Sequence, residues 1–336
     1  MRGAKFFGKH DVRVAEYPDP TPGPQDAIVR VKASGICGTD VHVYENEVPL
    51  AKLPVIPGHE FAGEIVSVGT KLAGFQPGDR VAIEPNLFCG KCHFCRTARK
   101  HFCENWMAVG LSMDGGFAEL CRVPGQALYQ MPDNLSYSQA AFFEPAACVL
   151  HGIERSALQS GETAVVFGAG SIGLLYIQLL RRRGASKVIL AEIDPAKRDF
   201  ARQFNPDAIL DPKSPDFKDT VKDLTGGYGP DVVYDAAGSV MVLQTALEIV
   251  QTGGRIIVFG VPPAEAQWSL KPFDIYRREI SLIGSFTNPY TNEAALQLLP
   301  ALQVDSIVSA HIKVDQIVEY IQRLQAGKER KVQIVF

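Results

Sequence analysis

The 336-residue chain has no charge excess: 34 Lys+Arg against 37 Asp+Glu leave −3, so no whole-molecule field draws nucleic acid or an anionic membrane. It also lacks a long apolar run. The most hydrophobic stretch, Ala164 to Leu180, is shorter than a spanning helix and is interrupted by Gly168, Gly170, Gly173 and Gln178. The first residues carry Lys5, Lys9 and Asp11 where a secretory leader would be continuously apolar, so export is not expected. Repeats and low-complexity tracts are missing. With 46% hydrophobic and 21% charged residues, the composition excludes a disordered, collagen-like or coiled-coil chain. Seven cysteines is an odd number, and four crowd between Cys89 and Cys103, which suits metal binding better than a disulfide framework. A reducing, cytoplasmic compartment is therefore expected.

What is present divides into two textures, as the length leads one to expect. The first part has short strand-like runs broken by turn residues, among them Pro18-Asp19-Pro20, Pro57-Gly58 and Gln76-Pro77-Gly78-Asp79. That pattern predicts an antiparallel β domain. Beyond it, apolar strands alternate with amphipathic helices: Thr163–Phe167, Lys187–Glu192, Ala208–Leu210, Asp231–Tyr234, Arg255–Phe259 and Ile280–Ile283 read as strands. Strands spaced by helices predict a doubly wound α/β fold, a six-stranded parallel sheet. The tail shows helix patterns at Glu293–Leu302 and Val314–Leu324 and a last strand, Lys331–Val335, and is expected to return to the first domain. The boundaries expected are 1–146 with 285–336 for the mainly β domain and 147–284 for the nucleotide-binding one.

Gly168-Ala169-Gly170-Ser171-Ile172-Gly173 has the spacing G-x-G-x-x-G, which many loops satisfy by chance. Its context makes it specific. The buried strand Ala164-Val165-Val166-Phe167 enters it and Leu174 to Leu180 continues as a helix, so the glycines sit where a pyrophosphate meets helix N-terminal amides. Glu192, at the end of the next strand, is placed to accept hydrogen bonds from the adenosine ribose, and its charge repels a 2′-phosphate. NAD is favoured over NADP, with Lys197 and Arg198 close enough in sequence to keep NADP as the alternative.

Cys89, Cys92, Cys95 and Cys103 place four thiols in a short lobe, 86–105. A tetrahedral zinc with four sulfurs leaves no position for water or substrate, so this metal is expected to be structural. A nucleic-acid-binding zinc finger is the competing reading; the acidic balance and the lack of a base-reading helix oppose it. Outside that lobe, Cys37 to His42, Gly58-His59-Glu60 and Phe143-Glu144-Pro145 supply thiol, imidazole and carboxylate groups. Mixed coordination with an open position is what a catalytic zinc needs. Neighbouring strand residues point to opposite faces, so His59 and Glu60 share one metal only if the backbone turns there, which Gly58 permits.

On these motifs, in this order along essentially the whole chain, the sequence resembles the zinc-dependent medium-chain alcohol dehydrogenases, most closely their sorbitol (polyol) and threonine dehydrogenase branch. The resemblance implies a GroES-like catalytic domain built from both chain ends and a Rossmann domain between them. It implies Cys37 and His59 as ligands of a catalytic zinc, with Glu60 or Glu144 as the direct carboxylate ligand, and one catalytic and one structural zinc per subunit. It also implies hydride transfer from an alcohol to NAD, with Thr39 passing the proton toward His42. Phe259, Gly260, Val261, Ser285, Phe286 and Thr287 match segments that contact the nicotinamide end of the cofactor. The expected substrate is a polyol, a sugar alcohol or its phosphate; threonine-type amino-alcohol oxidation and a non-catalytic zinc- and nucleotide-binding protein are the alternatives. Family members form dimers or tetramers, so a homo-oligomer is expected.

Overall fold

The computed structural model describes residues 1–336, which form two compact units: Met1–Ala147 with Asn288–Phe336, and Cys148–Thr287. The first division falls inside the helix Phe143–Ser156. The second lies at Thr287 rather than Gly284, because the chain leaving strand Ser281–Gly284 stays tied to its neighbour through Ser285 N–H donating to Val258 O.

In the unit made from both chain ends, a seven-stranded sheet is organised around the long strand Asp26–Ile36. Glu60–Val68, Leu120–Pro124 and Val332–Val335 all pair with it antiparallel. Most of its residues are buried rather than alternately exposed, since core packs on both faces. Phe6, Ile36, Phe117 and Ile317 belong to one buried cluster, Val29, Phe61, Ile65 and Val81 to another. The closing strand sets Val332 opposite Ile36 and Gln333 opposite Gly35, while Gly35 also faces Glu60 on the other side. Three strands therefore meet where Asp26–Ile36 ends, immediately before Cys37.

The second unit is a six-stranded parallel sheet in the order Ala208–Leu210, Lys187–Ala191, Thr163–Phe167, Val232–Asp235, Arg255–Val258, Ser281–Gly284. Its central strands are continuously buried, as a sheet covered by helices on both faces requires. The order reverses beside Thr163–Phe167, which opens a crevice at the carboxyl ends of that strand and Val232–Asp235. Two expected tail helices are shorter than their periodicity. Asn292–Leu298 gives way to a tight turn at Leu299–Ala301 because Pro300 has no N–H to continue the ladder. Val314–Gln316 is a separate tight turn leading into the helix Ile317–Gln325. No helix is long and apolar enough to cross a membrane.

Candidate functional site

Cys37 stands between the strand Asp26–Ile36 and the helix Gly38–Tyr44, for which it is the N-cap. Asp40, in the first turn, accepts from Cys37 N–H at 2.8 Å through Oδ2 and turns Oδ1 toward His59 Nδ1 at 3.5 Å. One fully buried carboxylate thus fixes the entry of the helix with one oxygen and sets the other beside the imidazole, where neither facing atom has a hydrogen-bond partner. Gly58 has φ +94°, a conformation costly for any residue with a Cβ, and an added Cβ would also meet Phe117 at 2.5 Å. This turn delivers His59 and Glu60 to the same place despite their adjacency. The ligand atoms of Cys37, His59 and Glu60 all lie within 4.8 Å of one another.

Burial alone would pull the His59 imidazole down, but Asp40 and then Cys37 outweigh it and hold its pKa well above the ordinary value. A metal at this place would displace that proton. Beside the donors, Lys331 is 3% exposed and donates to Glu60 Oε2. Burial lowers its pKa, yet Glu60, Cys37 and Asp40 raise it overall, so the ammonium stays charged. Thr39 Oγ1 lies 3.8 Å from Cys37 Sγ, and His42 follows three residues later on the same face of the helix. The His42 side chain is 45% exposed, its Nδ1 2.9 Å from Glu47 Oε2. Glu144 occupies the first turn of helix Phe143–Ser156, half-buried, and is not a member of the Cys37–His59–Glu60 group.

The four-cysteine lobe rises from the strand pair Asn86–Leu87 and Met107–Ala108. The sulfurs of Cys89, Cys92, Cys95 and Cys103 lie within 4.8 Å of one another, Cys92 and Cys103 at 3.9 Å. Zinc–sulfur bonds of about 2.3 Å in a tetrahedron place sulfurs roughly 3.8 Å apart, so this set fits zinc with little movement. Backbone N–H groups already aim at the sulfurs: Cys92 N donates to Cys89 Sγ, and Asn105 N to Cys103 Sγ. N–H groups of Lys91 and Cys92 bring the Cys89 thiol down to about 6, whereas desolvation and the neighbouring thiols push Cys95 up to about 12. His93 points its Nε2 at Arg99, 3.0 Å away, and is not in the donor group. Both donor sets fit zinc chemically: four soft thiolates in a closed set, and one thiol, one imidazole and one carboxylate that leave a fourth position free.

In the parallel-sheet unit, Gly168 leaves strand Thr163–Phe167 with φ +101°, and Gly170 caps the helix Ser171–Arg182. A Cβ on Gly173 would stand 1.8 Å from Gly168 O, so helix and loop touch through bare backbone. Ser171, Ile172 and Gly173 form the first turn, the amide-rich end that favours an anion. Glu192 is buried, accepting from Ala169 N at 2.7 Å and Asp194 N at 2.9 Å. Lys197 lies in the next helix, its backbone N–H capped by Asp194, while Arg198 pairs with Asp211 at 3.0 Å. The carboxyl ends of the neighbouring strands converge there: a Cβ on Gly260 would lie 2.1 Å from Gly238 N. Phe259 and Gly260 follow strand Arg255–Val258, Val261 is 75% exposed, and Ser285, Phe286 and Thr287 follow strand Ser281–Gly284.

Three functional side chains escaped the motif reading. Asp40 is signalled by its spacing, an acid three residues after a capping position. Lys331 is signalled only by being a charge at the head of an apolar strand. Asp235, whose Oδ1 accepts from Ala237 N and Gly238 N, shapes the loop beside Gly260 and is visible only as an acid closing a buried strand.

Residues 23–133 match the family described as alcohol dehydrogenase GroES-like domain, and residues 171–303 match zinc-binding dehydrogenase. The chain is 36% identical over 316 residues to D-altritol 5-dehydrogenase of Agrobacterium fabrum, covering 93% of this chain and 91% of that enzyme. It is 32% identical over 328 residues to an L-threonine 3-dehydrogenase of Rhizobium etli, covering 94% and 93%. Among solved structures, a zinc-binding dehydrogenase from Sinorhizobium meliloti 1021 bound to NADP superposes with a TM-score of 0.96 at 35% identity, covering 100% of this chain and 99% of that one.

Proposed function

The chain belongs to the zinc-dependent medium-chain alcohol dehydrogenases, and we propose that within this family it oxidises a secondary hydroxyl of a polyol, sugar alcohol or polyol phosphate to a ketose-type product. The observation that carries this reading is the Cys37–His59–Glu60 group, a mixed donor set with room for a substrate oxygen. The 36% identity to an altritol dehydrogenase supports the polyol class. When bound, zinc supplies Lewis acidity toward an alcohol oxygen and the nicotinamide supplies a hydride acceptor. Everything else falls to side chains. Cys37, His59 and Glu60 would hold the metal, and the buried Asp40 carboxylate beside His59 Nδ1 would orient the ring. The Thr39 hydroxyl, beside Cys37, is placed to accept the substrate proton while passing its own on toward His42, whose Nδ1 lies 2.9 Å from Glu47 Oε2 at the solvent side. Glu144, half-buried in the first turn of its helix, is the alternative carboxylate ligand.

Zinc-replete protein offered NAD and a panel of polyols, polyol phosphates, threonine and simple primary alcohols is expected to form NADH only with the polyhydroxylated compounds. Turnover of threonine alone would establish the amino-alcohol reading that the Rhizobium relative supports. No turnover with any compound would point to a substrate outside the panel or reopen the non-catalytic binding role.

The proposed dinucleotide is NAD, because the buried Glu192 carboxylate stands at the loop where a 2′-phosphate would bring like charge. The Sinorhizobium neighbour carries NADP, which makes the comparison worth measuring. Wild-type kcat/KM is expected to favour NAD, and Glu192→Gln, which keeps a hydrogen-bonding group without the charge, to narrow the preference by about tenfold. A wild-type preference for NADP would remove the role assigned to Glu192.

A homo-oligomer fits the edge of the parallel sheet. Strand Ser281–Gly284 has one unpaired side, with Leu282 37% exposed on it and Phe273 and Tyr276 exposed on the preceding helix. Sedimentation equilibrium is expected to show a dimer or tetramer that Leu282→Asp weakens; a wild-type monomer refutes this assignment. Thiols at both donor sets suit a reducing, cytoplasmic compartment.

A further inference from the structure

Lys331, just before strand Val332–Val335, and Glu60, at the head of Glu60–Val68, form an ion pair with 3% and 1% residual exposure, and the end of Asp26–Ile36 runs between those strands. The space between those strands exists because residue 35 is glycine. A Cβ there would lie 2.4 Å from Glu60 Oε2 and 2.9 Å from Lys331 Cε. The ammonium is also 6.0 Å from the centre of the Phe142 ring. Lysine is almost never buried so fully without a partner, and the one it has is also a metal donor.

We propose that Lys331 is a positioning residue, the resident counter-cation of Glu60: it holds that carboxylate in place while no metal is bound and competes with the metal for it. This rests on the reading of Cys37, His59 and Glu60 as a zinc site. A carboxylate with so little solvent must have a cation nearby or give up its charge. In the metal-free protein the Lys331 ammonium is that cation. In the loaded protein the metal fills the role, and Glu60 is shared between two positive partners. Removing the lysine therefore harms the metal-free form more than the loaded one, and by linkage the metal binds more tightly.

The test measures Co²⁺ and Zn²⁺ affinity by chelator competition, with the cobalt spectrum separating the four-sulfur set from the mixed one. It compares wild type, Lys331→Met, Glu60→Gln and the double variant. Lys331→Met is expected to tighten metal at the mixed site by about tenfold and to enlarge the zinc-induced rise in Tm. In the Glu60→Gln background the same lysine substitution is expected to change neither, because no carboxylate remains to be contested. Lys331→Arg, which keeps the charge, is expected to stay near wild type. A Lys331→Met chain that folds only with zinc present is the expected result in its extreme form. Unchanged affinity in Lys331→Met overturns the proposal, and so does an equal gain in the Glu60→Gln background, which reports only a general loss of positive charge. Wild type binding a single metal per chain, in the four-sulfur set, would instead refute the zinc reading of the mixed site.

Discussion

Cys37→Ala is expected to lower kcat on the order of 10³-fold or more while leaving dinucleotide affinity within about twofold. The substitution removes one of three donors and leaves His59 and Glu60 too few to hold a metal in a defined geometry. The fold should tolerate it, because the Cys37 backbone N–H to Asp40 contact, the 2.8 Å half of the capping box, survives the loss of the sulfur. Helix Gly38–Tyr44, with Thr39 and His42, therefore stays in place. The glycine-rich loop belongs to the other unit and loses nothing. Steady-state kinetics, a dinucleotide titration and a metal count on the same preparation separate these outcomes. Substantial turnover by a Cys37→Ala enzyme would end the mixed donor set as the site of chemistry.

The second large effect concerns a methyl group. Gly173→Ala should raise the dissociation constant for dinucleotide by about a hundredfold and cost roughly 1–3 kcal/mol of stability, although alanine is the better helix former. The reason is the 1.8 Å separation between the new Cβ and Gly168 O, which forces the helix Ser171–Arg182 away from the loop whose amides receive the pyrophosphate. Gly170→Ala is the control. Its Cβ meets nothing within 4 Å and its backbone needs no positive φ, so thermal unfolding should barely change. If both variants unfold alike, close backbone approach is not what the third glycine supplies.

Much of this was legible in the residues because the signals are local. Strand, glycine fingerprint, helix and acid follow one another from Thr163 to Glu192, and each segment's period agrees with its neighbours. The four cysteines lie within one short loop, so their meeting in space follows from their spacing. The mixed donor set was only partly legible. Cys37 and His59 were distinguished by their motifs, but the choice between Glu60 and Glu144 depends on how far the backbone turns at Gly58, a dihedral that no residue pattern states. Lys331 was out of reach for a different reason. It meets Glu60 through the pairing of the last strand with Asp26–Ile36, a contact between distant parts of the chain that leaves no periodic trace. Helix ends were blurred wherever a proline or a cap intervened, as at Pro300 and Lys313.

The pairing of Val332–Val335 with Asp26–Ile36 also orders events in time. During synthesis Cys37 and His59 emerge long before the strand that completes their sheet, an interval of roughly 15 to 60 s at 5–20 residues per second. The parallel sheet has its last strand at Ser281–Gly284 and can close first. The four-cysteine lobe is local and can capture its ion as soon as Cys103 is clear of the ribosome. The mixed donor set must wait, its thiol and imidazole unsupported until the closing strand docks and brings Lys331 with it. The four-sulfur set is therefore complete in the chain well before the strand that supports the mixed set has been made.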